Sequence, residues 1–405
     1  QYPYTIKFQY EYKTSTTGFI PRWNPIDMYY AGIEKSTYTL INETSNEIRV
    51  KEKNFEDFPI QKNQLNNGFE YSLEKVAPLK YESYSLGIEN LTPELMIASS
   101  NFSLKGVMGS GNNWKDFGKW MYDKLLLGRA NLDEATKVKV RELTKKANNP
   151  VDKAKIIYKY MQDKTRYISV QVGIGGWEPI AANQVDKVGY GDCKGLTNYM
   201  KALLDVVGVE SYYTVVYADE QVDIDKDFAS LQGTHVILNI PNSGNDLWLE
   251  CTSQTTPFGF LGDFTDNRNV LVVTPEGGII KRTPAYLNET NLQVTKATIE
   301  LDNSGNLKAQ IEKKSKGTQY DNSYPIEDLS KEELLNYYKT NVWSYNNNLE
   351  ISSFTLENDK DSVLFTERVD VEVKEYASLN QGEYLFRVNV FNRNNNVPKR
   401  YRARK

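Results

Sequence analysis

Residues 189–213, GYGDCKGLTNYMKALLDVVGVESYY, constrain this chain more than any other stretch, because a tight turn, a helix and a strand must follow one another there. Gly189 and Gly191 permit the turn, Asp192 is a good N-cap, and Leu196, Met200, Leu203, Leu204 and Val207 recur at three- and four-residue spacing. Gly208 closes the helix. One side of the helix is therefore built for burial, and Cys193 falls in its first turn. Unpaired backbone N–H groups and the positive end of the helix dipole favour a thiolate at that position. A lone cysteine usually behaves as a small buried hydrophobe. Here Gly191, Asp192, Lys194 and Gly195 read instead as an exposed helix mouth.

The rest of the chain narrows the chemistry. At 405 residues it is too long for one ordinary core, and two or three domains are expected. With 25% charged and 40% hydrophobic residues it should be folded and soluble. A net charge of −4 argues against a nucleic-acid footprint. No apolar run is long enough to span a bilayer. Two cysteines cannot make a disulfide framework, and a single histidine excludes most histidine-based metal sites, so neither metal nor cofactor is expected. The 28 tyrosines suit β-sheet faces and polar binding surfaces equally well. The chain opens on Gln1, not Met, which leaves room for a removed targeting segment ahead of it.

Both flanks look β-rich. Tyr4, Ile6, Phe8, Tyr10 and Tyr12 alternate with polar residues, as in a half-buried strand, and strand-like runs follow at 36–42, 47–53, 68–76 and 81–90. An antiparallel sheet or sandwich with a scaffolding or binding role is expected there. The glycine-rich run 106–113 reads as a joint. After Arg282, TKATIELD and NLKAQIEKK should form a hairpin, with Ala297, Ile299 and Leu301 facing Leu307, Ala309 and Ile311. Ser330 and Glu333 spell a capping box, and strands should follow at 349–357 and 362–376. YLFRVNVFN, 384–392, reads as a further strand with no evident partner after it, as in a sheet cut short.

Between the flanks, helices are expected over 114–127 and 133–146 and from Pro150, where Ala154, Ile157, Tyr158 and Met161 share a face. A strand then leads into a glycine-rich loop carrying Gln171 and Trp177. Gly175 and Gly176 are no phosphate loop, since the GK[ST] ending and a following helix are missing. Asp223, Asp225 and Asp227 lack the glycine and terminal glutamate of a calcium loop. Residues 211–219 read as a strand. GTHVILNIPNSGNDLWLECTS then looks like a hairpin, with Val236, Leu238 and Ile240 on one face of its first strand and His235 and Asn239 on the other. An even-numbered loop centred on Asn242 and Ser243 places His235 directly opposite Glu250. At that separation a carboxylate can hold the imidazole by its ring N–H.

Cysteine, then histidine, then acid, on helix, strand and strand, is the order of the papain-like and transglutaminase-like cysteine enzymes. GYGDCKGLTNYMKALL, THVIL and WLECTS resemble the bacterial transglutaminase-like proteins, of the kind found in the Bacteroidetes cell envelope, that carry β-domains of unknown function before and after the catalytic core. The resemblance implies a multidomain α+β protein. It would have a β-sandwich-like domain over 1–110, a transglutaminase-like and cysteine-protease-like core over 111–290 and a β-rich domain over 291–405. It implies Cys193 as nucleophile, His235 as general base and Glu250 as orienting acid. Where that superfamily usually has Asp followed by Pro and Thr, this chain has Glu250, Cys251 and Thr252, and Glu is one methylene longer.

The chemistry so implied is acyl transfer on a peptide or protein substrate through a cysteine thioester. The Cys193 N–H would hold the oxyanion, with Trp177, Gln171 and Asp192 as candidates for the second donor or for substrate contact. Hydrolysis, as by a peptidase or amidase, is preferred because the Trp177 loop reads as open and mobile. The alternatives are a protein-glutamine transamidase and a catalytically silent binding or adaptor protein. The resemblance also implies export to the periplasm or cell envelope.

Overall fold

Strands of this chain come in small groups, antiparallel except for the short parallel pair Arg166–Tyr167 and Tyr190–Gly191. The computed structural model describes residues 5–170 and 173–393, which form a multi-sheet α+β structure. A five-stranded antiparallel sheet lies at its centre, in the order Leu247–Leu249, His235–Ile240, Tyr212–Val216, Asn269–Thr274, Gly277–Arg282. On one face, Leu196, Tyr199, Met200, Leu203 and Leu204 of the helix Cys193–Val206 pack on Leu238, Ile240 and Leu249. Ala154, Ile157, Tyr158 and Met161 of the helix Pro150–Lys164 complete that cluster. The other face is closed by Ile237, Trp248, Leu261, Val270 and Val272, so the strand His235–Ile240 is buried on both sides.

The cysteine helix has the boundaries that its spacing requires. Asp192 Oδ1 accepts from Gly195 N at 2.9 Å, and Gly208, at φ 70°, takes the left-handed conformation that ends it. The helix Trp114–Met121 runs beside Gly277–Arg282 at close range. A Cβ on Gly118 would sit 2.2 Å from Gly278 Cα, so glycine is required there.

Before this core, Ile33–Ile41, Gly68–Val76 and Gln61–Leu65 form a three-stranded sheet, and Ile48–Lys53 pairs with Glu94–Ser99. Residues 5–12 form no strand. Ile6, Phe8, Tyr10 and Tyr12 are 74–80% exposed, because a period of two supplies a face but not a partner edge. Residues 81–90 are not a strand either. Tyr84 has a φ of 62°, which breaks the extended run, and only a short 3-10 turn, Ile88–Asn90, follows. The run 106–113 is no loose joint. Lys105 and Gly106, both at positive φ, turn a hairpin between Asn101–Leu104 and Val107–Ser110, and Phe102 and Leu104 pack against Trp114, Phe117 and Trp120.

After the core, four antiparallel strands run in the order Gln293–Leu301, Leu307–Lys316, Leu364–Val373, Leu349–Asp359. Ala297 pairs with Ile311, Ile299 with Ala309 and Leu301 with Leu307, the facing expected from alternation. The helix Lys331–Tyr337 opens on the Ser330 and Glu333 capping box. In the last run only Glu383–Leu385 is a strand, and its partner, Ser378–Asn380, precedes it. Among the described residues no helix is long and apolar enough to cross a membrane.

Candidate active site

Three elements bring Cys193, His235 and Glu250 together. Cys193 is the first residue of its helix, His235 the first of its strand, and Glu250 the first residue beyond Leu247–Leu249. His235 Nε2 lies 2.8 Å from Glu250 Oε2. The other carboxylate oxygen accepts from Thr252 N at 2.8 Å and from Thr252 Oγ1 at 2.6 Å, and Tyr158 donates to the Glu250 carbonyl at 2.6 Å. Phe264 presents its ring to the imidazole at 5.1 Å and 70°. Since Nε2 is taken, Nδ1 is the ring nitrogen left to serve Cys193, which lines the same cleft.

The hairpin register differs from the expected one. Leu238 pairs with Leu249 and Asn239 with Trp248, a displacement of two places on the second strand. Asn245 N donates to Asn242 O and Gly244 has φ 88°, so Ser243 and Gly244 are the central turn residues, one place later than expected. Extending that register would set Thr252, not Glu250, opposite His235. Glu250 reaches the imidazole from a diagonal position.

Burial and charge act together at the pair. Burial works to lower the His235 pKa, but the Glu250 carboxylate and the hydrogen bond to Cys193 outweigh it and push it up to about 10. Burial acts to raise the Glu250 pKa. The charge of His235 and the bonds from His235 and Thr252 outweigh that and hold it below the usual carboxylate range. Imidazolium and carboxylate are thus both charged at neutral pH.

Cys193 and His235 line a cleft of about 330 Å³, together with Phe19, Met121, Trp177, Lys194, Tyr213 and Thr234. Trp177 stands in its wall against Phe19, ring centroids 5.6 Å apart. The loop bearing Trp177 is fastened, contrary to the open loop expected. Trp177 N and Glu178 N both donate to Ile174 O, and the Glu178 carboxylate is paired with Arg129. A helix, Ala182–Val188, does follow that loop. Gln171 lies outside the described residues. Asp192 points inward to cap its helix.

The helix mouth is not exposed. Cys193 is 5%, Asp192 1% and Lys194 4% exposed, and Lys194 Nζ lies 2.5 Å from Asp192 Oδ2. The second cysteine, Cys251, is buried in the core, which pushes its thiol well above the usual range. Sequence reasoning passed over Thr252 and Phe19. Thr252 stands where the superfamily pattern has its threonine, a usable signal. Phe19 comes from far upstream, and nothing local marks it. Among the described residues no three His, Cys, Asp or Glu side chains converge as a metal site would require.

Compared with family models and with curated proteins, the chain matches none. Among solved structures it is similar to a candidate protease from Parabacteroides distasonis, at 11% identity and a TM-score of 0.46, over 87% of this chain and 69% of that one. It is also similar to a candidate cysteine protease from Cytophaga hutchinsonii, at 11% identity and a TM-score of 0.25, over 54% of this chain and 72% of that one.

Proposed function

We propose that the protein is a cysteine hydrolase of the transglutaminase-like kind, acting on a peptide or amide through a Cys193 thioester. One observation carries the reading. The chain's only histidine, charged and held by a buried carboxylate, meets a cysteine at a helix N-terminus inside a cleft. Helix end and imidazolium are the two environments that stabilise a thiolate. The sulfur attacks the substrate carbonyl carbon, and the negative charge moves to its oxygen. First-turn N–H groups at Cys193 and Lys194 have no acceptor within the helix and are suited to receive that oxyanion, with Trp177 the candidate second donor. His235 gives its proton to the leaving nitrogen as the C–N bond breaks, and the thioester remains. Water, losing a proton to His235, attacks the thioester carbonyl and releases the acid and the cysteine. Glu250 orients the ring and stays ionised throughout.

A second reading, transamidation, is favoured by the Phe19 and Trp177 rings, which would shield the thioester from water and leave it to an amine. The test offers a glutamine-containing peptide with excess primary amine and follows both products by mass spectrometry, with Cys193→Ala as control. Cys193-dependent hydrolysis is the expected outcome. Dominant amine incorporation selects the second reading, and neither product alongside a rapidly alkylated Cys193 moves the protein to a silent scaffold.

A further inference from the structure

We infer that Lys194 is a positioning residue that keeps Cys193 reactive by cancelling the buried charge of Asp192. Asp192 adjoins the nucleophile and is 1% exposed, and its Oδ1 is committed to the helix cap at Gly195 N. Burial there removes the water that would otherwise screen its carboxylate. An uncompensated anion one residue from Cys193 opposes a thiolate, because a like charge nearby disfavours the charged form. Lys194 Nζ, 2.5 Å from Oδ2, is the one cation that contacts Asp192 among the described residues. Its side chain is 5% exposed and lines the cleft beside Cys193. The cap thus holds the helix mouth without charging it.

The other titratable groups near Cys193 among the described residues come from three neighbouring elements. Tyr213, from the neighbouring strand, is buried, and its hydroxyl is held neutral by that burial and by Cys193 and Asp192. His235 brings a positive charge with Glu250 behind it. Glu178, on the Trp177 loop, is neutralised by Arg129. Asp192 is the anion next in sequence to Cys193, and Lys194 is the side chain that compensates it.

The purpose of this device rests on the acyl-transfer reading, but its test reads the thiol directly. The rate of Cys193 alkylation by iodoacetamide is measured against pH in the full chain, with wild type, Lys194→Met, Asp192→Asn and the double variant. Lys194→Met should move the midpoint up by about one unit or more and slow the reaction at pH 7 by about tenfold or more. Asp192→Asn, which keeps the cap, should move it down. The double variant should return close to wild type, a recovery that a merely structural lysine would not give. A double variant as slow as Lys194→Met, or a Lys194→Met profile like that of wild type, overturns the inference while leaving the hydrolase reading intact. Wild type that is unreactive near neutral pH overturns both. If Lys194→Met does not fold, the downward shift in Asp192→Asn decides alone, and its absence refutes the inference.

Discussion

Because His235 is the only histidine in the chain, its protonation can be followed without assignment, and Glu250→Gln is the perturbation that tests the site most directly. With carbon-13 in the imidazole, the ring signal should titrate at about 10 in the wild type. Replacing the carboxylate by an amide removes the counter-charge but leaves the burial, which acts in the opposite direction. The midpoint should therefore fall to or below the ordinary value of about 6.5. Linkage gives the stability consequence. A histidine whose folded pKa is raised contributes stability that is fully present below its unfolded pKa and is lost as pH rises through the folded one. The rise from 6.5 to about 10 corresponds to about 4 kcal/mol at pH 7 and to about 1 kcal/mol at pH 9. Cys193 supplies part of that rise, so the measurement is made in a Cys193→Ala background and these figures are upper bounds. Glu250 has the opposite sign. Its folded pKa is depressed, so its contribution is present above about 4.5 and is lost as pH falls through the folded value. The Glu250→Gln penalty should be large near pH 7 and shrink towards pH 10. A wild-type midpoint near 6.5, or a penalty equal at pH 7 and pH 9, would refute the charged pair.

Three further outcomes can be checked. Leu203→Ala, at a fully buried position against the central sheet, should cost about 2–5 kcal/mol in denaturant titration, and a change near zero would contradict the packing. Thr252→Val removes the 2.6 Å hydroxyl bond to Glu250 but keeps the backbone one, and should raise the pH at which the Glu250 carboxylate takes up its proton by about one unit, as suits a charged hydrogen bond of about 1.5 kcal/mol; an unchanged acid limb of the stability–pH profile would contradict it. Iodoacetamide should label one cysteine in the native protein, Cys193, and both in denaturant, because Cys251 is 1% exposed; native labelling of Cys251 would show that the core opens.

What the sequence made legible follows from how local each signal is. The helix Cys193–Val206, the Ser330 capping box and the pairing of Ala297 with Ile311 are fixed by residues within one element or one hairpin, and each formed as expected. The fate of residues 5–12 depends on whether a distant edge is free to pair, which alternation cannot express. The helix mouth failed for a related reason. Gly191, Asp192 and Lys194 look like solvent-facing residues in isolation, but Val185 packs beside Gly191, and Phe19, Trp177 and Tyr213 from other parts of the chain line the cleft with Lys194.

The meeting of His235 and Glu250 was foreseen through a register that the hairpin does not have. A shift of two places keeps every side chain on its face, so the acid stays on the histidine's side of the strand. Distance does change. A directly opposed pair has Cβ atoms about 4.5–5.5 Å apart, whereas diagonal positions lie about 7–8 Å apart and are bridged by long side chains. Glu250 closes to 2.8 Å from the diagonal and still offers its second oxygen to Thr252. The added methylene, which looked like a departure from the resembling proteins, suits the turn at Ser243 and Gly244: that register sets Glu250 diagonal to His235, and a long side chain is what bridges a diagonal.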